Sequence, residues 1–122
     1  MHKRQITVAV VDDDPNILGS VRELLNAKGF ITEPFASAEG FLASGVIPRV
    51  DCLLLDIRLA GASGIDLRHH LEACGSKLPV IFMTGLDDEA LHQQALYAGC
   101  VALLHKPFPE HQLIDAIEKA VP

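Results

Sequence analysis

The sequence predicts an α/β fold, a five-stranded parallel sheet with helices on both faces. Three observations lead there. Strand-like and helix-like stretches alternate five times within 122 residues. The strand-like stretches are almost wholly apolar, as in strands buried on both faces rather than one. Each helix-like stretch carries apolar residues three and four apart, so that each helix presents one apolar stripe.

The elements follow in order. Ile6-Thr7-Val8-Ala9-Val10-Val11 predicts the first strand. Asp14-Pro15 starts the first helix, with Asp14 as N-cap and proline in the first turn. Ile17, Val21, Leu24 and Leu25 form its stripe, and Lys28-Gly29 ends it. Phe30 to Phe35 predicts a second, weaker strand, and its Pro34 suits a sheet edge or a strand end. Ser37 caps a short second helix carrying Ala38, Phe41 and Leu42. Asp51-Cys52-Leu53-Leu54-Leu55-Asp56 is the third strand, apolar until it stops on a carboxylate. A loop from Arg58 to Ser63 contains Gly61 and is followed by Gly64. The third helix then turns Leu67, Leu71 and Cys74 to one face and closes at Gly75. Pro79 to Thr84 is the fourth strand. Asp87 or Asp88 starts a fourth helix with Leu91, Ala95 and Ala98 inward and Gly99 as its stop. Val101 to Leu104 is the fifth strand, leading to Lys106-Pro107. Glu110 to Val121 is a final helix striped by Leu113, Ile114 and Ile117.

Length and composition fit one domain over residues 1–122. Apolar residues are 49% and charged residues 21% of the chain, enough core for a globular protein and unlike a disordered tail. The formal net charge of −6 argues against a nucleic-acid surface, which needs clustered Lys and Arg. No apolar run approaches the roughly 18 residues of a spanning helix. The basic start His2-Lys3-Arg4 is followed by too short an apolar run for a signal peptide. Cys52, Cys74 and Cys100 are odd in number and lie in apolar or helical stretches, which predicts buried free thiols and a cytoplasmic location. His69 and His70 point different ways on a helix, and no Cys or His falls at zinc-finger spacing, so no structural zinc is expected.

In an open α/β sheet, ligands bind outside the C-terminal ends of the strands. The first strand ends in Asp12-Asp13-Asp14, the third in Asp56, the fourth in Thr84, and the fifth leads to Lys106. Only the second, ending at Phe35-Ala36, offers nothing polar. Carboxylates within a few ångströms repel by about 4 kcal/mol per pair at an effective dielectric near 20. A hard divalent cation relieves that repulsion, and Mg²⁺ is the usual choice where carboxylates meet phosphate. Asp56 can act as the nucleophile of an aspartyl-phosphate reaction, with Asp12 and Asp13 on the metal. Thr84 and Lys106 then bind the oxygens of the transferred phosphoryl group. Each residue also has a plainer role open to it. Asp14 is the helix cap, Asp12 or Asp13 a turn residue, Thr84 a loop hydroxyl and Lys106 a solvated lysine. Their coincidence at strand ends favours the site.

Val10-Val11-Asp12-Asp13-Asp14, Leu54-Leu55-Asp56, Met83-Thr84-Gly85 and Lys106-Pro107-Phe108, in this order and spacing, resemble the receiver domain of bacterial two-component response regulators. The resemblance runs from about Gln5 to Val121. The stretches Asp56-Ile57-Arg58-Leu59 to Ser63-Gly64 and Leu104 to Phe108 are most similar to receivers ahead of LuxR-type output domains. The resemblance implies a flavodoxin-like sheet in strand order 2-1-3-4-5. It implies Asp56 as phosphoacceptor from a sensor histidine kinase or a small donor such as acetyl phosphate. It implies Mg²⁺ on Asp12, Asp13, Asp56 and the backbone carbonyl of Arg58. Thr84 is then the switch hydroxyl and Lys106 the phosphoryl-binding lysine, with a Lys106-Pro107 bond that is often cis. The protein is then a self-catalysed phosphorylation switch rather than a turnover enzyme. The resemblance implies that it controls an output domain or effector, with transcription as the output and a homodimer forming on phosphorylation.

Two positions depart from the family pattern. Leu103 stands where Tyr or Phe is usual, which removes the ring that reports the state of Thr84. Ala60 stands where the loop often has proline. The resemblance also implies that Arg58 and Leu86 occupy positions that tune acyl-phosphate lifetime in the family. Two other readings stand beside the switch. One is a degenerate receiver acting only as an interaction module, to which Leu103 gives some force. The other is a haloacid-dehalogenase-type phosphatase using the Asp-x-Asp of Asp12-Asp13-Asp14. Against the second stand the short chain, Asn16 in place of Thr or Val, and an Asp56 left without a role.

Overall fold

Alternate side chains of a strand face opposite sides of a sheet, and here both sides are apolar. The computed structural model describes residues 5–59, 62–85 and 89–121. Its strands are β1 (Thr7–Val11), β2 (Ile31–Phe35), β3 (Cys52–Asp56), β4 (Val80–Thr84) and β5 (Ala102–His105). Its helices are α1 (Pro15–Ala27), α2 (Ala38–Ala43), α3 (Gly64–Ala73), α4 (Glu89–Ala98) and α5 (Glu110–Ala120). All strand pairs in the five-stranded sheet are parallel, in the order β2-β1-β3-β4-β5. Strand bounds differ from the sequence expectation by a residue, and β5 runs on to His105.

The two faces carry separate cores. Val8, Val10, Leu54, Ile81 and Met83 pack with Val21 and Leu25 of α1 and Leu113, Ala116 and Ile117 of α5. Ala9, Val11, Leu53, Leu55 and Phe82 pack with Phe41 of α2, Leu67 and Leu71 of α3, and Ala95 and Ala98 of α4. Central strands β1 and β3 are thus buried on both sides, and each fully buried large side chain contributes roughly 1.5–3 kcal/mol. β2 lies at the edge, where Pro34 costs the sheet no interior hydrogen bond.

Local chemistry sets the helix ends. Asp14 Oδ1 accepts from the Asn16 N–H at 2.9 Å, Ser37 Oγ from Gly40 N–H at 3.0 Å and Ser63 Oγ from Ile65 N–H at 3.1 Å. Gly29 (φ 88°) follows α1 and Gly75 (φ 80°) follows α3, in the left-handed region that glycine enters freely.

Several expectations need correction. Leu42 is exposed, because α2 has only six residues and its one buried face is taken by Ala38 and Phe41. Cys74 is also exposed. It closes α3 as the C-cap, beyond the turn that Leu71 packs onto the sheet. Of the three thiols only Cys52 is fully buried, and burial, aided by the charge of Asp51, pushes it up to about 12. Burial also raises the half-buried Cys100. The stretch after β3 holds a two-residue antiparallel ladder, Arg58–Leu59 against Ala62–Ser63, and Ile47–Arg49 forms a 3₁₀ turn; neither was expected. The readings at His2, Lys3, Arg4, Ala60, Gly61, Leu86, Asp87 and Asp88 lie outside the described residues. No described helix is long and apolar enough to cross a membrane.

Candidate functional site

Sheet register brings the strand ends together. Val11 pairs with Leu55 and Asp56 with Met83, so the residues that follow β1 and end β3 and β4 share one edge. The sequence-predicted residues Asp12, Asp56, Thr84 and Lys106 all lie there. Asp12 is fully buried, Asp56 is 8% exposed and Thr84 is 2% exposed. Asp13 is exposed. One carboxylate oxygen from each of Asp12, Asp13 and Asp56 lies within 4.8 Å of the others, a cluster that can hold a metal ion. Among the described residues it is the one such group of three or more.

Lys106 closes the cluster. Its Nζ donates to Asp12 Oδ2 at 2.7 Å and to Asp56 Oδ2 at 3.0 Å. Its backbone N–H donates to the Thr84 carbonyl at 2.7 Å, which carries β5 past β4 and delivers the side chain to the edge. The Lys106-Pro107 bond is cis. The other carboxylate oxygens meet backbone donors. Asp12 Oδ1 accepts from Asp14 N–H at 2.9 Å, and Asp56 Oδ1 from Arg58 N–H at 3.2 Å. The Arg58 side chain is exposed, so its backbone is what faces the site.

Electrostatics follow from this crowding. Burial raises the Asp56 carboxyl above its ordinary range. The hydrogen bond from Lys106 lowers it, the charge of Asp12 raises it again, and the balance stays upward. Burial alone would lower the Lys106 ammonium. Its hydrogen bonds to Asp12 and Asp56, with their charges, outweigh that and raise it. One ammonium thus serves two buried carboxylates, and a further cation is favoured beside them.

Gly64 completes the site and was passed over in the sequence as a loop glycine. Its N–H donates to the Ile57 carbonyl at 2.7 Å. A Cβ there would stand 2.1 Å from the Asp56 carbonyl oxygen, so only glycine lets α3 start against the end of β3. Its position directly after the capping Ser63 was the available signal. His92 of α4 was also passed over. It is buried, and its ring stands edge-on to that of His105, with centroids 4.7 Å apart. Leu103 is partly buried against the α2–α3–α4 core, filling with aliphatic volume the place where a ring was the family norm.

The fold and this edge define an α/β module with an acidic pocket at the C-terminal ends of its strands, and comparison with known proteins places it in a family. A family profile described as the response regulator receiver domain matches residues 8–118, and the chain belongs to that family. It is 34% identical over 121 residues to the response regulator protein TodT of Pseudomonas putida, covering 99% of this chain and 53% of that protein. It is 35% identical over 114 residues to the transcriptional regulatory protein FixJ of Rhizobium meliloti, covering 93% of this chain and 56% of that protein. The chain therefore spans about half the length of the curated relatives it matches. Among solved structures, the response regulator StyR superposes with a TM-score of 0.88 at 39% identity, over 97% of this chain and 60% of that one. FixJ-N superposes at 0.87 and 34% identity, over 97% and 94%.

Proposed function

We propose that this receiver domain is a phosphorylation switch in which Asp56 accepts a phosphoryl group from a sensor histidine kinase or from a small donor such as acetyl phosphate. The setting of Asp56 carries this conclusion. It ends the central strand, is nearly buried, and has Lys106 Nζ at 3.0 Å and two further carboxylates close by. One Asp56 oxygen bonds to phosphorus while the bond from phosphorus to the donor breaks. The electron pair leaves with the donor, an imidazole nitrogen or an acetate oxygen. Lys106 pairs with a phosphoryl oxygen where negative charge collects, and the Thr84 hydroxyl donates to another. Asp12, Asp13 and Asp56, with the Arg58 carbonyl, would hold Mg²⁺, which supplies charge neutralisation at the phosphoryl oxygens. Water attack on phosphorus later returns the free carboxylate, so the protein assists its own phosphorylation and dephosphorylation without being a turnover enzyme.

Drawing Thr84 toward the phosphoryl group biases the face made by α4, β5 and α5. An output domain, a partner protein or a second copy of the chain reads that face. The relatives named as transcriptional regulators support an output in transcription, with any DNA contact made outside this acidic domain. Incubation with acetyl phosphate and Mg²⁺, followed by intact-mass measurement, tests the proposal. The wild type should gain one phosphoryl group and Asp56→Ala none. A wild-type mass unchanged across several donors would overturn the switch. Neither a phosphatase nor an interaction-only module gains support from the structure, since both would leave the Asp56–Lys106 pairing without a use.

A further inference from the structure

The exposed end of α3 carries a second group of metal-ligating side chains, unconnected with the acidic edge. His70 and Cys74 lie four residues apart, on one face of the helix and its cap, and both are exposed. Cys74 Sγ is 3.7 Å from His70 Nε2. A tetrahedral zinc ion with Zn–S of about 2.3 Å and Zn–N of about 2.0 Å separates its sulfur and nitrogen ligands by roughly 3.6 Å. The two side chains are therefore already spaced to share one such ion. The end of the helix at which they sit adds a second, independent preference. Its last carbonyls carry partial negative charge, which favours a bound cation.

We propose that His70 and Cys74 form a two-ligand surface site for a borderline-soft divalent cation of the zinc class, one ion per chain. Among the described residues no third Cys, His or carboxylate converges with the pair, so water fills the remaining positions and the ion is exchangeable. This differs from the closed zinc-finger set whose spacing the sequence lacks. On binding, the Cys74 thiol loses its proton to solvent and the S–metal bond forms, while His70 coordinates through Nε2. No oxidation is involved. The loaded site would shield the most accessible thiol of the domain from oxidants.

Cobalt(II) titration of the whole chain tests this, in saturating Mg²⁺ so that the carboxylate edge is occupied. Wild-type protein should develop a near-ultraviolet sulfur-to-cobalt charge-transfer band at one ion per chain, and Zn²⁺ should abolish it by displacement. The carboxylate cluster has no sulfur and cannot produce that band. Cys74→Ser should remove the band, and His70→Gln should weaken binding by roughly tenfold or more. Both substitutions fall at exposed positions and should leave the circular dichroism unchanged. A wild type without the band, a His70→Gln affinity equal to wild type, or a requirement for two chains per ion would each overturn the site. Phosphoryl uptake by Asp56 is measured separately and does not depend on the result.

Discussion

Asp51 and Asp56 flank the same strand, one at each end of the sheet, and their surroundings differ sharply. At the N-terminal edge, Asp51 Oδ2 accepts from the Thr7 N–H at 2.8 Å and ties the start of β1 to the start of β3. At the C-terminal edge, Asp56 meets a second buried carboxylate, Asp12, and the two share the ammonium of Lys106. A carboxylate that takes up a backbone donor completes the structure around it. A carboxylate set against another carboxylate leaves the structure short of positive charge, and that shortage is what a metal ion or a phosphoryl transfer can exploit.

Substitutions at the two ends can break or sharpen this contrast. Lys106→Met should have the largest effect. It leaves two buried carboxylates without their cation, and loss of one member of such a group costs about 3–5 kcal/mol. Urea unfolding measures it, and a variant as stable as wild type would show that the edge is not crowded. Asp51→Ala should come next, destabilising by about 1–3 kcal/mol through the orphaned Thr7 N–H. At this end Mg²⁺ should restore nothing.

Millimolar Mg²⁺ should stabilise the wild type by about 1.4 kcal/mol at ten times its Kd. Thermal melts read this, and equal shifts in the wild type and in Asp12→Asn would remove the cluster as the binding place. Asp56→Asn should have the smallest effect and the opposite sign to Asp51→Ala, a gain on the order of 1 kcal/mol at neutral pH. The sign follows from the raised Asp56 carboxyl. The folded protein holds that proton more tightly than the unfolded chain, so wild-type stability falls as pH rises from the ordinary value of 3.8 through the raised one. The advantage of Asp56→Asn should therefore be full above the raised value and vanish below 3.8. Chemical denaturation from pH 3 to 8 tests the trend, and an advantage independent of pH would exclude charge crowding as its cause.

Much of this was legible before any coordinates. The continuous burial of Val8 to Val11 and Leu53 to Leu55, on both faces of the sheet, follows from unbroken apolar runs. The Asp14 and Ser37 caps follow from side-chain oxygens placed just ahead of helical stripes. Four polar strand ends could be read in order along the chain. Gly64 could not be read the same way, because its constraint comes from the Asp56 carbonyl, which the turn of the chain brings against it. Cys74 fits the stripe of Leu67 and Leu71 by spacing but lies at the cap, where periodicity no longer predicts burial.

By itself the sequence determined which stretches become strands and helices and which chemical groups stand at their ends. Those are local matters, set by neighbours within a turn or two and by the period of apolar residues. Only the tertiary structure decided which carboxylates crowd together. Asp12 and Lys106 are 94 residues apart and Asp56 and Lys106 are 50 apart, and strand register alone brings them within 3.0 Å. The same register sends Asp51 to a backbone N–H at the opposite edge. One residue type thus serves as a structural tie at one end of the sheet and as the proposed phosphoacceptor at the other, because electrostatic environment depends on distance in space and not on position in the chain.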